Sequence, residues 1–172
     1  MEIQSFTKNL LMEGGTKRYK NDIQKLNDLN SMVIKADELI NSKSAKVTFE
    51  GIAKNKLTYL DFWASWCLPC RAEMPSSVKL SEEYQSKGIN FIYISIDKNP
   101  VAWEKAVKQM GLKNENSYLL PGGEKSTIAK HFGISFIPRY MIMDSKGRII
   151  NQDAPRPSSS NIREVFEDLL KR

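Results

Sequence analysis

The chain has 172 residues, 41% of them hydrophobic and 27% charged, enough apolar content for one domain with a real core and some extra sequence. A formal net charge of +6 comes without any run of five or more like charges, so the sequence reads as a solvated basic surface and argues against a nucleic-acid partner. No apolar stretch approaches the roughly 20 residues that span a bilayer, and two cysteines in a chain this long do not make a disulfide scaffold.

Residues 1–45 are polar and rich in Lys and Asn. Within "NDIQKLNDLNSMVIKADELI", Ile23, Leu26, Leu29, Val33 and Ile34 recur at helical spacing, which predicts a helical extension or the remnant of an upstream region. The start, "MEIQSFTKNLLMEGG", lacks the basic and apolar regions of a signal peptide. A protein that is never exported and a chain whose leader has been cut away would both read this way.

From residue 46 to residue 172 strands and helices alternate. "KLTYLDFW" reads as a strand, entering a helix across the cysteines that runs to Gly88 and is kinked at Pro75. "INFIYISID" is a nearly continuous apolar run, as expected of a central parallel strand. "NPVAWEKAVKQMG" predicts a helix, "SYLL" a short strand and "EKSTIAKHFG" a short helix. "RYMIMD", "SKGRIINQD" and "SSNIREVFEDLLKR" follow as strand, turn plus strand, and terminal helix, with hairpin turn chemistry at Asp144 to Gly147. The order predicts an α/β domain with a mixed β-sheet flanked by helices.

Cys67 and Cys70 are the only thiols, two residues apart behind an apolar run. A structural crosslink between them would close a tiny loop and remove little unfolded-state entropy. Half of a metal site is the second reading, but zinc wants four N/S ligands and the chain adds a single histidine, His131. A redox pair is the third. A first cysteine at a helix opening lies near unpaired N–H groups that favour its thiolate, so Cys67 attacks and Cys70 resolves the mixed disulfide. Pro69 removes an N–H where the helix does not need one.

The segment "DFWASWCLPCRAEMP" resembles the active-site segment of the thioredoxin superfamily, and more closely that of its TlpA/ResA-like thiol–disulfide oxidoreductases. The likeness covers residues 46–172, where "INFIYISID" and "GISFIPRYMIMDSKGRII" follow in the family's order. It implies a thioredoxin fold, with Cys67 a surface-exposed nucleophile and Cys70 a buried resolving thiol. Pro138 matches the family's cis-proline, which would turn the backbone of Ile137 towards Cys67 to pair with a substrate strand. Trp66 matches the tryptophan that flanks the nucleophile and shapes the substrate surface.

Two acids match acidic positions of the family and are candidate proton carriers. Asp61 lies in an apolar strand, where burial should raise its pKa and suit it to take the Cys70 proton; a hydrogen-bonded structural acid is the alternative. Glu73, one turn beyond Cys70, matches an acidic position found in ResA-like members and is a candidate for a redox role, or is an ordinary first-turn glutamate favoured by the helix dipole. Tyr93 stands where thioredoxins proper carry a lysine beside the buried aspartate. Trp63 reads as core and His131 as a helix-end residue.

The resemblance implies an enzyme exchanging disulfides with a protein substrate, most often as a reductant, recharged by an upstream electron-donor thiol protein. No cofactor is expected beyond the redox-active Cys67–Cys70 pair, and no metal. Two other readings stand beside it. A peroxiredoxin-type peroxidase would need a threonine where Ala64 stands. A non-catalytic interaction module would need neither cysteine nor Pro138. The family suggests the periplasm or cell envelope, with a cytoplasmic reductase as the alternative.

Overall fold

The computed structural model describes residues 24–26, 28 and 37–171. Seven strands form one mixed sheet in the order β2-β1-β5-β4-β3-β6-β7. At its centre β3 (Leu57–Trp63) and β4 (Ile89–Ser95) pair in parallel, in register from Leu57 opposite Ile89 to Trp63 opposite Ser95. On one side β5 (Ser117–Leu119) continues the parallel run beside β4. On the other, β6 (Arg139–Asp144) lies antiparallel to β3, and β7 (Ile149–Asn151) closes that edge.

Every residue of β3 is buried, including Thr58 and Asp61, because the strand has a neighbour on each side and packing on each face. Alternation assigns Tyr59, Asp61 and Trp63 to one face and Leu60 and Phe62 to the other. Two helices cover the first face. Phe166 of the terminal helix α5 (Ile162–Leu170) packs edge-on against Tyr59 at 5.4 Å, Tyr84 at 5.1 Å and Phe91 at 5.9 Å. Helix α2 (Leu68–Tyr84) buries Cys70, Met74, Ser77, Leu80 and Tyr84, a stripe at helical spacing, and Ser77 donates to the Tyr93 hydroxyl at 3.3 Å. Pro75 lies inside α2 without ending it, and a 3-10 turn at Gln85–Lys87 leads into Gly88, whose φ of 94° suits a left-handed cap.

The other helices are short and each is capped by a polar side chain. Thr48 caps α1 (Phe49–Ile52), accepting from Gly51 N–H at 3.1 Å. Asn99 caps α3 (Pro100–Gln109), with Pro100 at its first position. Ser126 caps α4 (Thr127–His131), accepting from Ala129 N–H at 3.2 Å.

The fold differs from the sequence reading at its beginning. Residues 24–26 and 28 are helical, as expected, while the rest of the expected helix up to residue 36 lies outside the described residues. Glu38–Asn41, included in that helical extension, is instead strand β1. It pairs antiparallel with β2 (Lys46–Thr48) on one side and with β5 on the other. Leu39 and Ile40 satisfy a helix periodicity and a strand equally over so short a run; the open edge of β5 supplies the partner that selects the strand.

Candidate active site

The loop from Ala64 to Cys67 turns the chain from β3 into α2. Cys67 is the N-cap: its N–H donates to Ala64 O at 3.1 Å, and its Sγ accepts from Cys70 N–H at 3.2 Å. The sulfur thus occupies the place a Ser or Asp oxygen takes at other helix starts, among backbone donors with no carbonyl partner. Cys67 and Cys70 are joined as a disulfide with an S–S distance of 2.02 Å.

The disulfide is sunk rather than on the surface. Cys67 is only 5% exposed and Cys70 1%, which corrects the expectation of a surface-exposed first cysteine. Trp66, Leu68 and Phe136, which are 65%, 76% and 64% exposed, line the same groove as Cys67 and form its apolar rim. Cys67 opens to solvent through a groove of about 480 Å³, also lined by Ile96, Ile134 and Ile137. Cys70 is not part of that lining. The Ile137–Pro138 peptide bond is cis, as expected, and Pro138 is buried directly behind Ile137.

A buried carboxylate that the sequence does not single out pins the loop. One Asp97 oxygen accepts from Ser65 N–H at 2.8 Å and from the Ser95 hydroxyl at 2.7 Å; the other accepts from the Ser65 hydroxyl at 2.7 Å. Arg71 Nη1 reaches Ser65 O at 3.4 Å. Every polar group of the residue before Trp66 is therefore held. The signal available in the sequence is an acid closing the apolar run "INFIYISID", beside the carboxyl end of β3, where ligand and catalytic groups gather in parallel sheets.

The two expected proton carriers lie away from the groove. Asp61 is 1% exposed, with Tyr93 of β4 and Tyr140 of β6 as its neighbours across the sheet. Neither of its oxygens has a hydrogen-bond partner. Burial holds its pKa well above the ordinary 3.8, with the charge of Glu73 adding to the effect. Burial also raises the hydroxyls of Tyr59, Tyr93 and Tyr140, which Asp61's charge would raise further, so all three stay neutral. Tyr93 therefore gives Asp61 no compensating positive charge.

Glu73 is half-buried and accepts two hydrogen bonds from Ser158, from its N–H at 3.1 Å and its hydroxyl at 2.8 Å. It fastens α2 to the segment leading into α5. It sits in the second turn of α2, not the first, so the helix-dipole explanation loses its basis. Trp63 is fully buried, in keeping with a core role. His131 is exposed and closes α4. Among the described residues no group of three or more His, Cys, Asp or Glu side chains could hold a metal ion, and no helix is long and apolar enough to cross a membrane.

A cysteine pair opening a helix from a central parallel strand, with a cis-proline directly before the adjacent antiparallel strand, defines a class of redox-competent α/β domains. A family model described as thioredoxin-like matches residues 55–149, and the chain belongs to that family. Among curated proteins it is 32% identical over 119 residues to the thiol-disulfide oxidoreductase ResA of Bacillus thuringiensis subsp. konkukian, a match covering 69% of this chain and 64% of ResA. It is 25% identical over 126 residues to the thiol:disulfide interchange protein HelX of Rhodobacter capsulatus, covering 73% of this chain and 68% of HelX. Among solved structures, a thiol-disulfide oxidoreductase from Bacteroides fragilis superposes with a TM-score of 0.64 at 26% identity, covering 77% of this chain and 95% of that one.

Proposed function

We propose that this protein is a thiol–disulfide oxidoreductase that reduces disulfides in partner proteins. The observation that carries the proposal is the Cys67–Cys70 disulfide at the opening of α2, with only Cys67 facing the groove. In the reduced state the helix start favours the thiolate at Cys67. That thiolate attacks one sulfur of the partner's disulfide and forms a mixed disulfide, expelling the partner's other sulfur as a thiolate that takes up a proton. Cys70 then loses its proton and attacks Cys67 Sγ, re-forming the intramolecular disulfide and releasing the partner's second thiol. Two electrons pass to the partner, and a donor thiol protein must return two to the pair.

Asp61 is the proposed acceptor of the Cys70 proton: it accepts in its ionised form, and the upward shift that burial gives its pKa makes that carboxylate a stronger base, better matched to a thiol than an ordinary aspartate is. Glu73 acts on Asp61 by its charge and positions α2 through Ser158. Trp66, Ile137 and Pro138 are the proposed substrate-binding residues: Trp66 is an exposed wall of the groove, Ile137 also lines it, and the cis Pro138 follows Ile137 directly. No cofactor beyond the cysteine pair is proposed. The chain spans 64% of the length of its ResA relative, and the site of action proposed from the family resemblance is the cell envelope.

The peroxidase reading loses support at Ala64, which is fully buried and brings no polar side chain to activate a peroxide. The test is reduction of a protein disulfide such as that of insulin by the dithiothreitol-charged protein. The expected results are turnover by wild type, none by Cys67→Ser, and a trapped mixed disulfide with Cys70→Ser. Turnover by Cys67→Ser, or peroxide consumption outpacing disulfide reduction, would overturn the proposal, and inertness towards every disulfide would leave an interaction module.

A further inference from the structure

The groove over the disulfide is apolar apart from Ser135 and one charged group, Glu124. The same residue lines a second hollow, which shares Trp66 and Ile96 with the first and also contains Lys98. Asp97 lines that hollow too, but its oxygens are already taken by Ser65 and Ser95. Glu124 is exposed, and its side chain makes no hydrogen bond or ion pair with any described residue.

Its place on the rim is built by the backbone. Gly122 and Gly123 have φ of 79° and 51°, a left-handed pair that few other residues adopt. A Cβ on Gly123 would stand 2.8 Å from Ile96 O, so the turn lies directly against a residue that lines both hollows. Gly123 N–H donates to Leu120 O at 3.0 Å, and the Ser126 cap of α4 follows at once. Glu124 thus projects from a tightly seated turn, and its carboxylate has no partner among the described residues.

From this arrangement, and resting on the disulfide-exchange reading above, we infer that Glu124 is a specificity residue. It selects partner segments that carry a lysine or arginine a few residues from the reactive cysteine, with an intervening apolar side chain laid against Trp66, Leu68 and Phe136. The argument is one of charge complementarity. An extended segment entering the groove meets apolar walls and one uncompensated carboxylate, so a cation there gains a partner and an anion meets repulsion. The protein's formal net charge of +6 opposes a basic partner at long range, but exposed charges are largely screened beyond about 8 Å at physiological salt, so the local contact decides. Lys98 makes the second hollow the poorer place for the cation.

The test uses the reduced protein and a set of disulfide-linked peptides, identical except for Lys, Ala or Glu placed in turn at successive positions on either side of the cysteine. KM and kcat are measured for wild type, Glu124→Gln and Glu124→Lys. At one position wild type should favour Lys over Glu by about two- to fivefold in KM, the range of an exposed ion pair. Glu124→Gln should flatten that preference, Glu124→Lys should invert it, and added salt should weaken both. The same ranking in all three proteins, an equal loss on every peptide, or no preference at any position would overturn the inference. Failure of wild type to reduce any peptide would instead remove the oxidoreductase reading beneath it.

Discussion

Replacing Asp61 by Asn tests the state of the carboxyl buried in the centre of the sheet. Asp61 is 1% exposed with no partner for either oxygen, and burial together with Glu73's charge holds its pKa well above 3.8. Above pH 3.8 the unfolded chain therefore releases a proton that the folded protein keeps. Since the native state binds more protons in this window, stability falls as pH rises; the contribution is fully present below 3.8 and is lost as pH climbs through the raised folded value. Within the window a single carboxyl changes stability by up to about 1.4 kcal/mol per pH unit.

The amide of the Asp61→Asn variant does not titrate, and its burial without partners costs about 1–3 kcal/mol at every pH, a cost of the kind the neutral wild-type carboxyl also carries. The informative quantity is thus the difference between the two proteins as pH changes, not its value at one pH. Urea unfolding of the oxidised proteins, with both thiols locked in the disulfide, should show wild type losing stability relative to Asp61→Asn steadily from about pH 4 upward, at a slope of up to about 1.4 kcal/mol per unit. Two parallel stability curves would refute the reasoning, because they would mean that Asp61 ionises alike in folded and unfolded chains.

Three further outcomes follow from packing and the loop. Phe166→Ala removes a fully buried ring shared among Tyr59, Tyr84 and Phe91 and should cost about 3–5 kcal/mol in chemical denaturation; a loss below about 1 kcal/mol would mean that α5 is not held by this cluster. Asp97→Ala takes the acceptor from the Ser65 N–H and from the hydroxyls of Ser65 and Ser95, so it should destabilise by about 1–3 kcal/mol and slow disulfide exchange by up to about 100-fold. Asp97→Asn, which keeps an acceptor oxygen, should lose less of both when unfolding and insulin reduction are measured side by side. Gly123→Ala should be costlier than Gly111→Ala by thermal or urea unfolding: both positions have positive φ, but only at 123 would the new Cβ meet a backbone oxygen, 2.8 Å away.

Much of the redox centre is legible in the sequence. The spacing of Cys67 and Cys70 behind an apolar strand implies a helix opening, and the structure has Cys67 capping α2. The alternation of strands and helices from residue 57 to residue 170 also follows the sequence pattern closely, since apolar runs and capping residues such as Asn99 and Ser126 act locally. What is not legible depends on partners far along the chain. Asp97 meets Ser65 from 32 residues away, and Glu73 meets Ser158 from 85 away. Neither residue type nor local spacing announces such a pairing.

By itself, the sequence determined which residues make the central strands, where α2 starts and which two sulfurs can react, because those outcomes follow from local periodicity and capping. Only the tertiary structure decided that Glu38–Asn41 is a strand, that Cys67 lies at the bottom of a groove, and that Glu124 stands on its wall. A four-residue segment takes its conformation from the edge it meets, and a side chain's exposure is set by neighbours that folding brings in from elsewhere in the chain.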